Sequence, residues 1–165
     1  MDARPATPDD AVAIAAIYNE GIAERGSTFE TRPRSAADIR AWFDGVHPVV
    51  VVEEQGAVIA FAATSTYRPR ECYAGIAEYS VYVAQGARGR GAGRRAMEAL
   101  IAAAEAAGFW KLVSRIFVEN EASLALMRRL GLREVGRYEK HGKLDGVWRD
   151  VVIVERLIPG NIRTS

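Results

Sequence analysis

The segment Val81-Tyr82-Val83-Ala84-Gln85-Gly86-Ala87-Arg88-Gly89-Arg90-Gly91-Ala92-Gly93-Arg94 gathers residue types suited to holding an anion. Val81 to Val83 end a strand, the glycines form a loop, and a helix starts near Gly91. Glycine lets successive N–H groups converge on one ligand because no Cβ stands in the way. A helix N-terminus adds unpaired N–H groups and partial positive charge. Arg88, Arg90 and Arg94 add full charges. A pyrophosphate is the natural ligand of such a junction. No Lys-Ser or Lys-Thr follows the glycines, so this is not a Walker loop. Gly91-x-Gly93-x-x-Ala96 does match the dinucleotide fingerprint, and Glu119 ends the next strand. Against a dinucleotide-binding oxidoreductase stand two features: Ala84 to Arg90 separate the fingerprint from its strand, and the chain offers only one strand-helix-strand unit.

Other reactive residue types lack the company they would need. His47 and His141 are isolated and have no third ligand, so no metal site is expected. Cys72 has no histidine placed to activate it as a nucleophile. Trp42, Trp110 and Trp148 suit core or interface. A glycine- and arginine-rich RNA-binding surface would need interleaved stacking aromatics, which are missing.

The elements that must position these residues are legible from periodicity. Thr7-Pro8-Asp9-Asp10 opens a first helix carrying Ile14, Ile17 and Tyr18. Ser35-Ala36-Ala37-Asp38 opens a second, followed by Ile39, Trp42 and Phe43. Val49–Val52 and Val58–Phe61 form a hairpin turning at Glu54-Gln55-Gly56. From Glu78 to Val83 the pattern alternates, with Tyr79, Val81 and Val83 on one face and Glu78, Ser80 and Tyr82 on the other. A helix runs from Gly91 to Ala107, stopped by Gly108. Leu112 to Val118 is a strand and Glu121 to Leu130 a short helix before Gly131. A last hairpin passes through Tyr138 and then Val147 to Leu157. The expected fold is α/β: a mixed, mostly antiparallel sheet of six or seven strands flanked by about four helices, not a doubly wound parallel sheet.

The 165 residues suit one domain, spanning 1–165. Hydrophobic residues make up 49%, enough for a core without disulfides or metal. A net charge of +1 gives no reason to expect nucleic acid or an anionic membrane as partner. The single cysteine excludes an internal disulfide and fits a reducing cytoplasm. No apolar run approaches the roughly 18 residues of a membrane span.

Arg88-x-x-Gly91-x-Gly93 matches the (Q/R)-x-x-G-x-(G/A) signature of the GNAT-type N-acetyltransferases. The resemblance covers nearly the whole chain, in the same element order. Asn120, then Ala122, Leu126 and Leu130-Gly131, resemble that family's second cofactor segment. Glu78-Tyr79-Ser80-Val81-Tyr82-Val83 looks like the phosphinothricin acetyltransferase branch, which carries a Glu ahead of a Val-Tyr-Val cofactor strand. Arg68-Pro69-Arg70-Glu71-Cys72-Tyr73 falls in that branch's substrate segment, and Gly146-Val147-Trp148-Arg149-Asp150 resembles its late G-x-W-x-D. The resemblance implies a GNAT-like sheet, acetyl-CoA as cosubstrate, no metal, and a homodimer. It implies acetylation of the α-amino group of a small glutamate-like amino acid: phosphinothricin, methionine sulfoximine or sulfone, or arsinothricin. Acetylation of protein or peptide N-termini is the rival within the family.

Carried over residue by residue, Val81, Tyr82 and Val83 would pair with the pantetheine arm. Arg88, Gly89, Arg90, Gly91, Ala92, Gly93 and Arg94 would hold the pyrophosphate. Asn120 would contact the pantetheine near its thiol. Glu78 would be general base, or else a structural ion-pair partner. Arg68, Arg70 and Tyr73 would hold the substrate's anionic groups, since guanidinium binds oxyanions bidentately. At one position the chain departs from the family. Many relatives place a Tyr or His on the Asn120 helix to protonate the leaving thiolate, and here that residue is Met127.

Overall fold

The run Val49-Val50-Val51-Val52 lacks any polar alternation, which suits a strand covered on both faces. In the computed structural model, which describes residues 1–162, it opens strand β2 (Val49–Glu54), and all four valines are buried. β2 sits in a seven-stranded sheet with β1 (Asp2–Pro5), β3 (Ala57–Thr66), β4 (Ile76–Val83), β5 (Lys111–Phe117), β6 (Arg133–Leu144) and β7 (Val147–Leu157). The order across the sheet is β1-β2-β3-β4-β5-β7-β6. Every neighbouring pair is antiparallel except β4 and β5, which run parallel. Four α-helices accompany it: α1 (Ala11–Glu24), α2 (Ala36–Arg40), α3 (Ala92–Ala106) and α4 (Glu121–Arg129). This is the mixed, mostly antiparallel α/β sheet that the periodicity implies.

The alternation of the strands decides which helix covers which face. Val50, Val52, Ala60 and Ala62 meet Ala96, Met97, Leu100 and Ala104 of α3, in one cluster that continues to Leu112, Ile116, Val152 and Val154. Val49, Val51 and Phe61, on the other face, meet Ile14 and Ile17 of α1 and Ile39 of α2. Phe117, Leu144 and Val151 form a separate small cluster with Phe29. No described helix is long and apolar enough to cross a membrane.

The N-terminal strand β1 was not expected, because Asp2-Ala3-Arg4-Pro5 is short and polar. A long-range ion cluster holds it. Arg4 donates bidentately to Asp10 at 2.9 and 2.8 Å and also to Glu53 on β2 at 2.6 Å. Asp10 accepts the Thr7 N–H at 2.8 Å as well. The expected start signal at Thr7 makes one 3₁₀ turn, Pro8–Asp10, that leads into α1. The Arg4 guanidinium holds the buried Asp10 carboxyl below its usual range.

Candidate active site

The parallel pair β4–β5 is where the sheet fails to close. Their register covers only Ile76↔Lys111, Ala77↔Leu112 and Glu78↔Val113. β4 stays paired with β3 as far as Val83, and β5 stays paired with β7 as far as Phe117. Beyond Glu78 the two strands therefore diverge. Trp110 donates its N–H to the Gly75 carbonyl at 2.8 Å below the split, and the buried Ser114 hydroxyl donates to the Tyr79 carbonyl at 2.9 Å within it. These bonds fix the strand's parity. Odd-numbered residues of β4 turn their backbone groups toward β5, and Ala84 donates to Ile59 on the β3 side. The N–H groups of Val81 and Val83 and the Val81 carbonyl thus point into a gap that β5 does not fill, while the Val83 carbonyl accepts from Arg88 Nε at 3.3 Å. Half-buried backbone groups of this kind need a partner once a ligand covers them.

The glycine loop lies at the wide end of that gap. Gly89 and Gly91 have φ of +78° and +87°, and a Cβ built on either meets nothing within 4 Å. Gly91 is the cap residue of α3, and the first intrahelical bond runs from Arg95 N–H to the Gly91 carbonyl at 3.1 Å. The N–H groups of Ala92, Gly93 and Arg94 are left free at the helix start.

Each of the three arginines already has a carboxylate. Arg88 holds Glu24 of α1 bidentately at 2.6 and 2.5 Å, Arg90 holds Glu54 at 2.6 Å, and Arg94 holds Glu98 at 2.8 Å. Arg88 also keeps the Glu24 carboxyl below its ordinary range. The loop is clamped to α1 a second time by Gln85 N–H donating to Glu20 at 2.8 Å. The anion-binding capacity of the junction rests on its backbone more than on its guanidinium groups.

A groove of about 660 Å³ runs between loop and gap, walled by Val81 to Val83, Gly89, Gly91 to Arg94 and, across from them, Asn120, Ser123, Leu126 and Arg129. That is the size of site a large, extended small molecule needs. It continues into a narrower cleft of about 70 Å³ between β4 and β5, bordered by Tyr79, Ser80, Ser114, Arg115, Asn120 and Met127.

The model of the Acetyltransferase (GNAT) family matches residues 14–132. The chain belongs to the GNAT acetyltransferase family. It is similar to the L-methionine sulfoximine/L-methionine sulfone acetyltransferase of Pseudomonas paraeruginosa, at 34% identity over 157 residues, 92% of this chain and 91% of the relative. Its fold is similar to that of a ribosomal-protein-alanine N-acetyltransferase from Brucella melitensis, with TM-score 0.91 and 31% identity over 96% of this chain and 100% of the other. It is also similar to a phosphinothricin acetyltransferase from Sinorhizobium meliloti in complex with AcCoA, with TM-score 0.88 and 31% identity over 95% and 88% of the two chains. The chain is thus an N-acetyltransferase that uses acetyl-CoA.

Along the groove of this acetyltransferase lie Val81, Tyr82, Val83, Arg88, Gly89, Gly91, Ala92, Gly93, Arg94 and Asn120. Arg90 does not line it and reaches away to Glu54. Asn120 caps α4, its Oδ1 accepting the Ser123 N–H at 3.3 Å, and borders both cavities. The alternation of β4 is as expected. Tyr79, Val81 and Val83 face the α3 cluster, while Tyr82 packs with the α1 cluster. Burial pushes the Tyr82 hydroxyl up to about 12, so it stays neutral.

Glu78 lines neither cavity; its side chain is 27% exposed, and it adjoins the narrow cleft through Arg115 of β5, which donates to its Oε1 at 2.7 and 3.2 Å. The ion pair is observed, and Arg115 itself borders the cleft. Arg68, Arg70 and Tyr73 lie on the β3–β4 connection and line neither cavity. Arg68 sits over the Tyr67 ring at 5.1 Å, Tyr67 meets Tyr73 edge-on, and neither arginine forms an ion pair among the described residues.

Several residues at the site were not singled out from sequence. Gly21 in the last turn of α1 lies against the Tyr82 ring, where an added Cβ would meet ring carbons at 2.6 and 2.7 Å. A lone glycine inside a helical pattern was the available signal. Glu24, one turn on, had none, and Ser114 and Arg115 read as ordinary strand residues. Among the described residues no group of three His, Cys, Asp or Glu could hold a metal. His47 instead contacts Asp44, and Cys72 is exposed.

Proposed function

We propose that the chain transfers the acetyl group of acetyl-CoA to the α-amino group of a small, glutamate-like amino acid, with Glu78 as general base. The observation that carries this reading is the continuous path from the α3 N-terminus, along the free N–H groups of Val81 and Val83, to the cleft bordered by Arg115, the ion-pair partner of Glu78. The N–H groups at the helix start suit a pyrophosphate. The open edge of β4 suits the amides of a pantetheine arm, which can add to it as a strand would. A free N–H along Val81 to Val83 can stabilise the oxyanion formed on attack.

The amine must be neutral to attack. An α-amino group titrates near ~8, so a base is needed at neutral pH. A positioned base is worth about 10²–10⁴-fold. Glu78 adjoins Tyr79 and Arg115, which border the cleft where the thioester would end, and Arg115 hydrogen-bonds to its Oε1. The names of the Pseudomonas and Sinorhizobium relatives support a small amino acid acceptor. Arg68 and Arg70, without carboxylate partners among the described residues, and the neighbouring Tyr73 remain the groups proposed to hold its acidic end. The homodimer implied by the branch belongs to the same proposal.

The test is CoA release with phosphinothricin, methionine sulfoximine, methionine sulfone and arsinothricin, against a peptide with N-terminal alanine. The peptide is needed because the Brucella relative is named for a ribosomal protein. At least one free amino acid is expected to exceed the peptide tenfold or more in kcat/KM. A preference for the peptide would overturn the substrate assignment and leave acetyl transfer standing.

A further inference from the structure

Aminolysis of a thioester ends with an electron pair on sulfur, and that sulfur needs a donor. Met127, at the narrow cleft, has no acidic proton. The hydroxyl nearest to it is that of Tyr79 on β4. Tyr79 is 3% exposed and borders the cleft, and its O–H donates to the Met127 Sδ at 2.9 Å. A thioether is a weak acceptor for a buried hydroxyl. A thiolate is a far better one, because hydrogen bonds to charged acceptors are shorter and about twice as strong. The donor is therefore held in place and readily redirected.

We propose that the Tyr79 hydroxyl donates the hydrogen bond that receives the coenzyme A sulfur as it leaves. This rests on the acetyl-CoA path proposed above. A ligand paired with Val83 and then Val81 arrives next at Tyr79, two residues further along the same edge. The amine nitrogen bonds to the carbonyl carbon, and its proton passes to Glu78. The C–S bond breaks with its electron pair on sulfur, which accepts the Tyr79 O–H. Burial raises the Tyr79 ionisation well above the ordinary range, so the phenol keeps its proton and acts as a donor only. The thiolate is protonated by solvent on release. Ser114 is committed to the Tyr79 carbonyl. Among the other hydroxyls that border the cleft, Ser123 lies on α4 with Met127, one turn away, and is the competing donor tested.

The experiment follows ionisation of the CoA thiol bound to the protein, by thiolate ultraviolet absorbance against pH, in the wild type, Tyr79→Phe and Ser123→Ala. Donation lowers the thiol's ionisation point, so in Tyr79→Phe it should rise by about one pH unit, a tenfold change in its ionisation constant. The kcat should fall roughly tenfold, with CoA affinity at neutral pH within threefold. Met127→Tyr added to Tyr79→Phe should restore the lower ionisation point, which a packing role would not predict. An unchanged thiol ionisation in Tyr79→Phe, or a shift confined to Ser123→Ala, overturns the assignment of Tyr79. Failure of the path itself would register separately, as undiminished CoA affinity in Gly91→Val.

Discussion

The Arg88–Arg94 loop and the β4–β5 gap both present unpaired backbone N–H groups to one groove, yet they arrive at them by different routes. The loop does so locally. Gly91 adopts a left-handed backbone, the helix begins, and the first N–H groups have no carbonyl to reach. The gap does so through topology. β4 is an ordinary strand, and the N–H groups of Val81 and Val83 are free only because β5 turns aside after Val113. The loop's arginines are balanced by Glu24, Glu54 and Glu98, so its selectivity for an anion is a matter of shape. The gap carries the residues proposed for the chemistry. In that proposal, binding and reaction rest on two separable kinds of backbone exposure.

The largest expected effect tests that separation at the gap. Glu78→Gln keeps the shape and removes the basicity, so kcat should fall roughly 10²-fold or more at neutral pH. Acetyl-CoA affinity should stay within threefold, and higher pH should recover part of the rate as more amine becomes neutral unaided. The check is kcat against pH for both proteins at saturating acetyl-CoA, and a mutant that tracks the wild type within threefold would show Glu78 to be an ion-pair residue only. At the loop the expected pattern reverses. Gly91→Val puts a side chain into the open space at the helix start and should weaken acetyl-CoA binding at least tenfold, or about 1.4 kcal/mol. A β-branched residue at φ +87° is strained, so the melting temperature is read beside the calorimetry. The smallest effect concerns the tie inside the gap. Ser114→Ala leaves the Tyr79 carbonyl without its donor and should destabilise the fold by about 1–2 kcal/mol, lowering Tm by roughly 2–8 °C. Acetyl-CoA affinity should hardly move, and a large loss of affinity would mean that Ser114 shapes the groove as well.

The same division explains what the sequence discloses. The loop's glycines, the strand before it and the helix after it are contiguous, so most of the groove wall between Val81 and Arg94 is readable from sequence; the turn of Arg90 away to Glu54 is not, because that partner lies on β2. Asn120 is readable as a helix start, and the β4 alternation as a period of two. The divergence of β4 and β5 has no local signature, because it depends on which strands become neighbours 35 residues apart: Ile76 pairs with Lys111. Arg115 and Ser114 are therefore recognised only once β5 is seen beside β4. β1 stayed hidden for a related reason, since its pairing partner lies on β2 and its ion partners on Asp10 and Glu53.

The divided sheet also has a mechanical character. On the α3 face one apolar cluster spans both halves, from Val50 and Ala62 to Leu112 and Val154. On the α1 face the halves keep separate clusters, one around Phe61 and one around Phe117. A structure welded along one side and parted along the other bends like a hinge whose pin runs beneath α3. The α1 side, which Glu78 and Tyr82 face, is the side with no shared cluster to hold the halves together. The amide hydrogens of Val81 and Val83, though central in the sheet, have no strand to shelter them. They should trade with solvent as readily as those of an outer edge until a bound ligand closes the seam.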